Sequence, residues 1–120
     1  MSAFAELPGL QAQAIWDGVV ARSVHGERIT LALVELEPGS IVPEHSHEHE
    51  QLGFVLTGSV TFRVGEEETP LGPGGAWRIE SKTPHEVHAG PEGAVVVDVF
   101  APTRDDWSSA EAVDREPRWP

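Results

Sequence analysis

Cysteine is absent from the 120-residue chain, which excludes a disulfide framework and a thiol nucleophile and leaves the compartment unread from redox chemistry. Basic residues are scarce: 8 Lys and Arg stand against 20 Asp and Glu, a net charge of −12 with His neutral. A surface of that sign repels phosphate backbones and anionic lipid, so neither nucleic acid nor a membrane surface is an expected partner. No apolar run approaches the ~18 residues of a spanning helix, and Met1 to Gln11 lacks a basic start followed by an apolar stretch. The expectation is a cytoplasmic protein that folds as one domain over residues 1–120, a length suited to a single core.

The chain has enough apolar residues, 39% of the total, for a modest core. Turn signals recur at His25-Gly26, Pro38-Gly39, Thr57-Gly58, Val64-Gly65, Pro73-Gly74-Gly75 and Gly90-Pro91-Glu92-Gly93. Between them lie short runs rich in Val, Ile, Leu, Phe and Thr, a rhythm that predicts an all-β sandwich or barrel. In Ser59 to Val64 the apolar Val60, Phe62 and Val64 alternate with polar neighbours. Ala94 to Phe100 is nearly continuous apolar sequence, as in a strand covered on both faces, broken only by Asp98. Ile29 to Leu36 and Leu52 to Leu56 also read as strands. Trp107 to Val113 could make one or two helical turns, and within the tail 103–120 the stretch from Glu116 to Pro120 packs through Trp119 or frays.

Histidine is the unusual abundance, with six in the chain. His45 and His47 are two apart, so on a strand both leave the same face with Cα atoms ~6–7 Å apart. Two imidazoles so placed can converge on one ion at about 2.0–2.1 Å per bond. An unbroken strand would carry Gln51 ~20 Å from His45. For Gln51 to join the pair, the chain must reverse within Glu48-His49-Glu50; otherwise Gln51 serves as a hydrogen-bonding residue of the core. His85 follows Pro84, which removes a backbone donor and restricts the local path. Three imidazoles and one oxygen donor leave one or two positions open on a divalent metal, the arrangement of a reactive site. His49 is an alternative ligand within the tract, His88 faces away from His85 on a strand, and His25 reads as a turn residue.

The stretch from Gly39 to Gly58 resembles the first sequence motif of the cupins. Gly39, His45, His47 and Gly58 fall at the motif spacings, and Gln51 stands where a glutamate is usual. The second motif is matched at Gly74 and His85, with Glu80 and Lys82 in place of its proline and glycine and Ala89 in place of its asparagine. The resemblance covers roughly Leu33 to Ala101. It implies an antiparallel double-stranded β-helix barrel, often dimeric, with one divalent transition metal (Zn, Ni, Mn or Fe) inside one mouth on His45, His47, Gln51 and His85. A carboxamide in place of a carboxylate leaves the site one negative charge short, which favours Lewis-acid chemistry.

A second cluster lies at Asp98, Phe100 and Arg104. An Asp within an apolar strand is costly unless it is paired, hydrogen-bonded or facing a polar cavity. Facing the interior, Asp98 would be a general acid/base, with Phe100 as a wall of the substrate pocket and Arg104 as a carboxylate clamp. Alternatively, an Asp98–Arg104 ion pair pins the barrel rim. Identity and order of these three residues resemble the small KdgF-type cupins that linearise unsaturated uronates. The resemblance implies a metal-dependent lyase- or isomerase-type enzyme acting on a small anionic, sugar-derived or keto-acid substrate, as a homodimer. A three-His iron dioxygenase and a non-catalytic small-molecule sensor are the alternatives.

Overall fold

The computed structural model describes residues 2–120 as nine strands and two short 3₁₀ turns, Leu7–Gly9 and Asp105–Ser109, with no α-helix among the described residues. The strands are β1 (Ala12–Trp16), β2 (Val19–His25), β3 (Thr30–Leu36), β4 (Ile41–His45), β5 (Glu50–Val64), β6 (Glu67–Leu71), β7 (Ala76–Ile79), β8 (His85–Ala101) and β9 (Ala112–Val113). Every pairing is antiparallel, in the order β6-β5-β8-β3-β2-β1-β9, with β4 added to β8 and β7 to β5. The all-β expectation is met. No described helix is long and apolar enough to cross a membrane.

Strands β5 and β8 pair along almost their whole lengths, and the rest of the sheet hangs on this ribbon. One half of β8 has β4 as its other neighbour and the second half has β3; β5 changes partner from β7 to β6 in the same way. The two expected turns at Thr57-Gly58 and Gly90 to Gly93 are not chain reversals. They are kinks inside these two long strands, where the register slips between Val55 and Thr57 and again between Gly58 and Val60. Gly58 and Gly93 adopt φ of 78° and 75°, and a Cβ on Gly58 would collide with the Gly93 carbonyl. Only glycine permits this backbone approach. Unbent, β8 would hold His85 and Phe100 about 50 Å apart; the kink folds the ribbon so that both rings lie near His47, at 4.8 and 6.0 Å between centroids.

The concave face of the folded ribbon carries the core, including Val34, Leu36, Val55, Val60, Phe62, Trp77, Val96 and Phe100. In Ser59 to Val64 the alternation places Val60 and Phe62 inside, as expected. In the first half of β5 it is Gln51, Gly53 and Val55 that face inward, while Leu52 and Phe54 are exposed. Apolar character alone does not choose the buried face there; register with β8 does.

The opposite face of β2 and β3 holds a buried ion pair. Arg22 Nη1 lies 2.6 Å from Glu35 Oε2, with both side chains 2% exposed. Arg22 also donates to the Leu10 carbonyl at 3.2 Å and the Arg115 carbonyl at 2.6 Å, and Glu35 accepts the Arg118 N–H at 3.1 Å. The pair thereby straps both terminal segments onto the sheet. Residues 107–113 are not helical beyond the short 3₁₀ turn: Ala112 and Val113 pair with Gln13 and Ala12. The backbone donors and acceptors on the edge of β1 are better satisfied by a strand than by a helix. Truncating one member of the pair strands a buried charge, so Glu35→Ala is expected to lose about 3–5 kcal/mol of unfolding free energy. The double variant Arg22→Met/Glu35→Leu should recover only part of it in urea denaturation, because the Leu10 and Arg115 carbonyls and the Arg118 N–H lose their partners.

Candidate metal centre

The site starts where β4 stops. His45 is the last residue of β4 and pairs directly with His85, the first of β8, with ring centroids 4.3 Å apart. His47 is not on a strand, contrary to the regular two-residue reading. The chain leaves β4 at His45 and re-enters the sheet at Glu50, so the expected reversal falls over residues 46–49. The Lys82 N–H holds that connection by donating to the His47 carbonyl at 2.7 Å. Lys82 has φ of 68°, so it keeps the left-handed backbone that a glycine would favour at this position.

One ring nitrogen from each of His45, His47 and His85 lies within 4.8 Å of the others. The second nitrogen decides which one it is. Nδ1 of His45, His47 and His85 meets the main-chain carbonyls of Pro43, His49 and Thr83 at 2.8, 3.0 and 2.9 Å. A carbonyl accepts only an N–H, so all three rings carry the proton on Nδ1 and turn an Nε2 lone pair inward. Backbone carbonyls commonly set the tautomer of metal-binding histidines in this way.

Gln51 supplies a test of fit. Its amide nitrogen donates to Asp98 Oδ1 at 2.8 Å, which leaves Oε1 facing His47 Nε2 at 3.2 Å. Both of these atoms are acceptors, with no proton between them while His47 is neutral. Burial, then the Arg104 charge, pushes the His47 pKa below its ordinary 6.5, so the ring stays neutral near pH 7. Two donors each ~2.1 Å from one cation stand about 3.0–3.4 Å apart, which this spacing satisfies. Three Nε2 atoms and one amide oxygen fit a first-row divalent metal.

Asp98 lies beneath Gln51. Gly53 pairs with Asp98 on one side and Trp77 on the other, and lacks the Cβ that would collide with both side chains. Trp77 Nε1 reaches over it to donate to Asp98 Oδ1 at 2.8 Å. Both donors end on Oδ1, so Oδ2 has no hydrogen-bond partner among the described residues. Burial raises the Asp98 pKa to about 6, against the lowering effect of the two N–H bonds. Asp98 therefore faces the interior and is not paired with Arg104, which overturns the rim ion-pair alternative. Arg104 donates to Asp106 through Nε and Nη2 at 3.1 and 2.9 Å, and its guanidinium lies 4.8 Å from the Phe100 centroid and 4.4 Å from that of Trp107. Asp98, Phe100 and Arg104 line the same cavity of about 70 Å³ as the three histidines and Gln51.

The remaining histidines are not among the converging donors, although the His49 ring lies 5.4 Å from that of His47. His49 binds the Thr103 carbonyl through Nε2 at 3.1 Å, His88 is exposed, and His25 contacts Thr30. Trp77, Gly53, Asp106 and Trp107 join the site without any sequence signal, because each is placed by cross-strand register or by the loop after β8. Burial also depresses the His85 pKa to about 4. Between about 4 and 6.5 the unfolded chain therefore binds protons that the native site refuses, and stability falls as the pH drops through that window. Metal content after dialysis at graded pH is expected to fall as the pH drops, because protonating the ligand imidazoles releases the ion. Metal content that stays flat down to about pH 4 would argue for a carboxylate-dominated site. His45→Ala and His85→Ala should empty the site, whereas His49→Ala and His88→Ala should retain metal.

Comparison with known proteins identifies the fold and the family. The Pectin degradation protein KdgF of Dickeya dadantii is 27% identical over 97 residues, covering 79% of this chain and 88% of that protein. The solved structure of KdgF from Halomonas sp. superimposes with a TM-score of 0.81 at 27% identity, covering 88% of this chain and 98% of that one. An RmlC-like cupin from Shewanella frigidimarina reaches the same TM-score of 0.81 at 20% identity, covering 88% and 96% of the two chains, and shares the fold. The profile of the cupin domain matches residues 32–100, more than half of the chain. The protein belongs to the cupin family.

Proposed function

We propose that this cupin opens the ring of a small 4,5-unsaturated uronate to the open-chain keto acid. The observation that carries the reading is Asp98: a buried carboxylate with one oxygen tied down and the other unpartnered, lining the cavity that holds the metal donors. The overall change is an isomerisation. The anomeric hydroxyl loses a proton, the C1–O5 bond breaks, and C4 of the former double bond gains a proton as C5 becomes the ketone. A group with a pKa near 6 can both accept and return a proton near neutral pH. Arg104 Nη1 has no acceptor among the described residues and suits the substrate carboxylate, with Phe100 as the adjoining wall. A divalent cation on His45, His47, Gln51 and His85 would supply Lewis acidity toward a bound oxygen. Resemblance to two KdgF proteins supports the substrate class.

Asp98→Asn keeps a carbonyl oxygen for the Gln51 and Trp77 donors but cannot move a proton. It is expected to retain metal and to cut kcat by about 10²–10⁴. Arg104→Ala should chiefly raise KM, and Arg104→Lys should restore only part of it, because a point charge cannot reproduce the planar fork. Ring opening followed by NMR, with metal content measured on the same samples, checks all three. Wild-type turnover by a folded Asp98→Asn protein would remove Asp98 from the chemistry. Oxygen uptake by iron-loaded protein would favour the dioxygenase reading, and tight substrate binding without turnover would favour a sensor.

We further propose a homodimer through the outer face of the β2-β3-β8-β5-β7 sheet. Val24, Leu31, Val99 and Leu52 form one row across four strands, with Phe54 beside it. Val24, Leu31, Leu52 and Phe54 are 38–49% exposed. A chain of net charge −12 repels its own copy, so contact favours a stretch poor in acidic groups. This row holds no acid, its one charge is Arg78 beside Leu52, Glu35 on the same face is buried against Arg22, and Glu50 lies at the edge. Leu52→Glu/Phe54→Glu is expected to sediment as a monomer with its metal retained. A wild-type monomer at tens of micromolar would reject the interface.

A further inference from the structure

An aromatic side chain at the mouth of the cavity has no part in the chemistry above. Trp16 ends β1, next to the Asp17-Gly18 tip of the β1–β2 hairpin. Consecutive strand residues normally point to opposite faces, yet Ile15 and Trp16 both line the cavity. The register accounts for this: Ala14 pairs with Val20 and Trp16 with Val19, so Ile15 is bulged out of the ladder. A bulge re-aims the side chain that follows it. The Trp16 ring is thereby brought to 5.2 Å from the His45 ring, tilted by 48°.

Exposure separates Trp16 from the other tryptophans of the site. Trp77 and Trp107 are each 7% exposed, whereas Trp16 is 37% exposed. An indole serving only to cover His45 would be expected to bury its ring against the barrel in the same way. Trp16 instead contacts the metal-donor cluster while keeping part of its surface open at the cavity mouth. An indole presents a large, rigid apolar face at low conformational cost. The C–H groups of a pyranose complement such a face, and an unsaturated uronate is flat at C4, C5 and the attached carboxylate. Ring opening destroys that flat shape, so stacking favours the cyclic substrate over the linear product.

We propose that Trp16 is the stacking platform for the sugar ring, a specificity-determining residue that selects cyclic uronates over open-chain acids. The proposal rests on the uronate reading of the site. Trp16→Ala is expected to raise KM for the unsaturated uronate about tenfold with kcat nearly unchanged, and Trp16→Phe to stay close to wild type. Metal content and melting temperature should match wild type in both variants. An unchanged KM in Trp16→Ala, or metal lost in proportion to activity, would overturn it, the latter by reducing Trp16 to a shield over His45. Intrinsic-fluorescence titrations of metal-loaded protein with cyclic galacturonate and the linear diacid galactarate separate this proposal from the reaction. If wild type prefers the ring and Trp16→Ala loses that preference, the platform stands even where no unsaturated uronate is turned over. Equal binding of the two acids, or binding of neither, rejects it.

Discussion

The folded β5–β8 ribbon is the constraint on which the site depends. A sheet strand is long and stiff, and residues fifteen apart on one strand do not ordinarily meet. Here the glycines at 58 and 93 let two backbones approach closely enough for both strands to bend at one level. The bend turns one long ladder into two facing halves, with His85 contributed by one half and Gln51, Asp98 and Phe100 by the other. Side chains at that level would push the halves apart, and the metal donors would separate along with the core.

Within the cavity, the electrostatics follow from a donor set without an anion. Backbone carbonyls hold each histidine as the Nδ1–H tautomer, and burial keeps His47 and His85 neutral. Gln51 adds a neutral oxygen. The nearest carboxylate, Asp98, is one hydrogen bond further out, where it orients the amide instead of neutralising the ion. A cation held by these residues would have no anionic ligand among them, which would suit an anionic substrate. Asp106 and the two flanking rings fix Arg104, leaving its Nη1 without an acceptor among the described residues.

Rigidity on the outside complements this interior. The Arg22–Glu35 pair gathers the segment before β1 and the tail after β9 onto the β2–β3 face. That packing also supports the β1–β2 hairpin whose tip carries Trp16.

Much of the site was legible in the residues themselves. The histidine spacing, the glycines around it and the lone Asp in an apolar strand are local signals, because metal ligation and burial cost constrain residue type directly. The same local reading misjudged Thr57-Gly58 and Gly90 to Gly93 as reversals, since a glycine with positive φ serves a tight turn and a kinked strand equally well. It also could not choose the buried face of Leu52 to Leu56, or the partner of Arg104. The chain by itself determined the all-β class through alternation, and its resemblance to the cupin motif supplied the candidate donors. Only the tertiary structure decided which amide atom of Gln51 faces the histidines, that Asp98 answers to Trp77 across Gly53, and that Trp16 stands at the mouth. These depend on register between strands distant in sequence, and no local pattern encodes register.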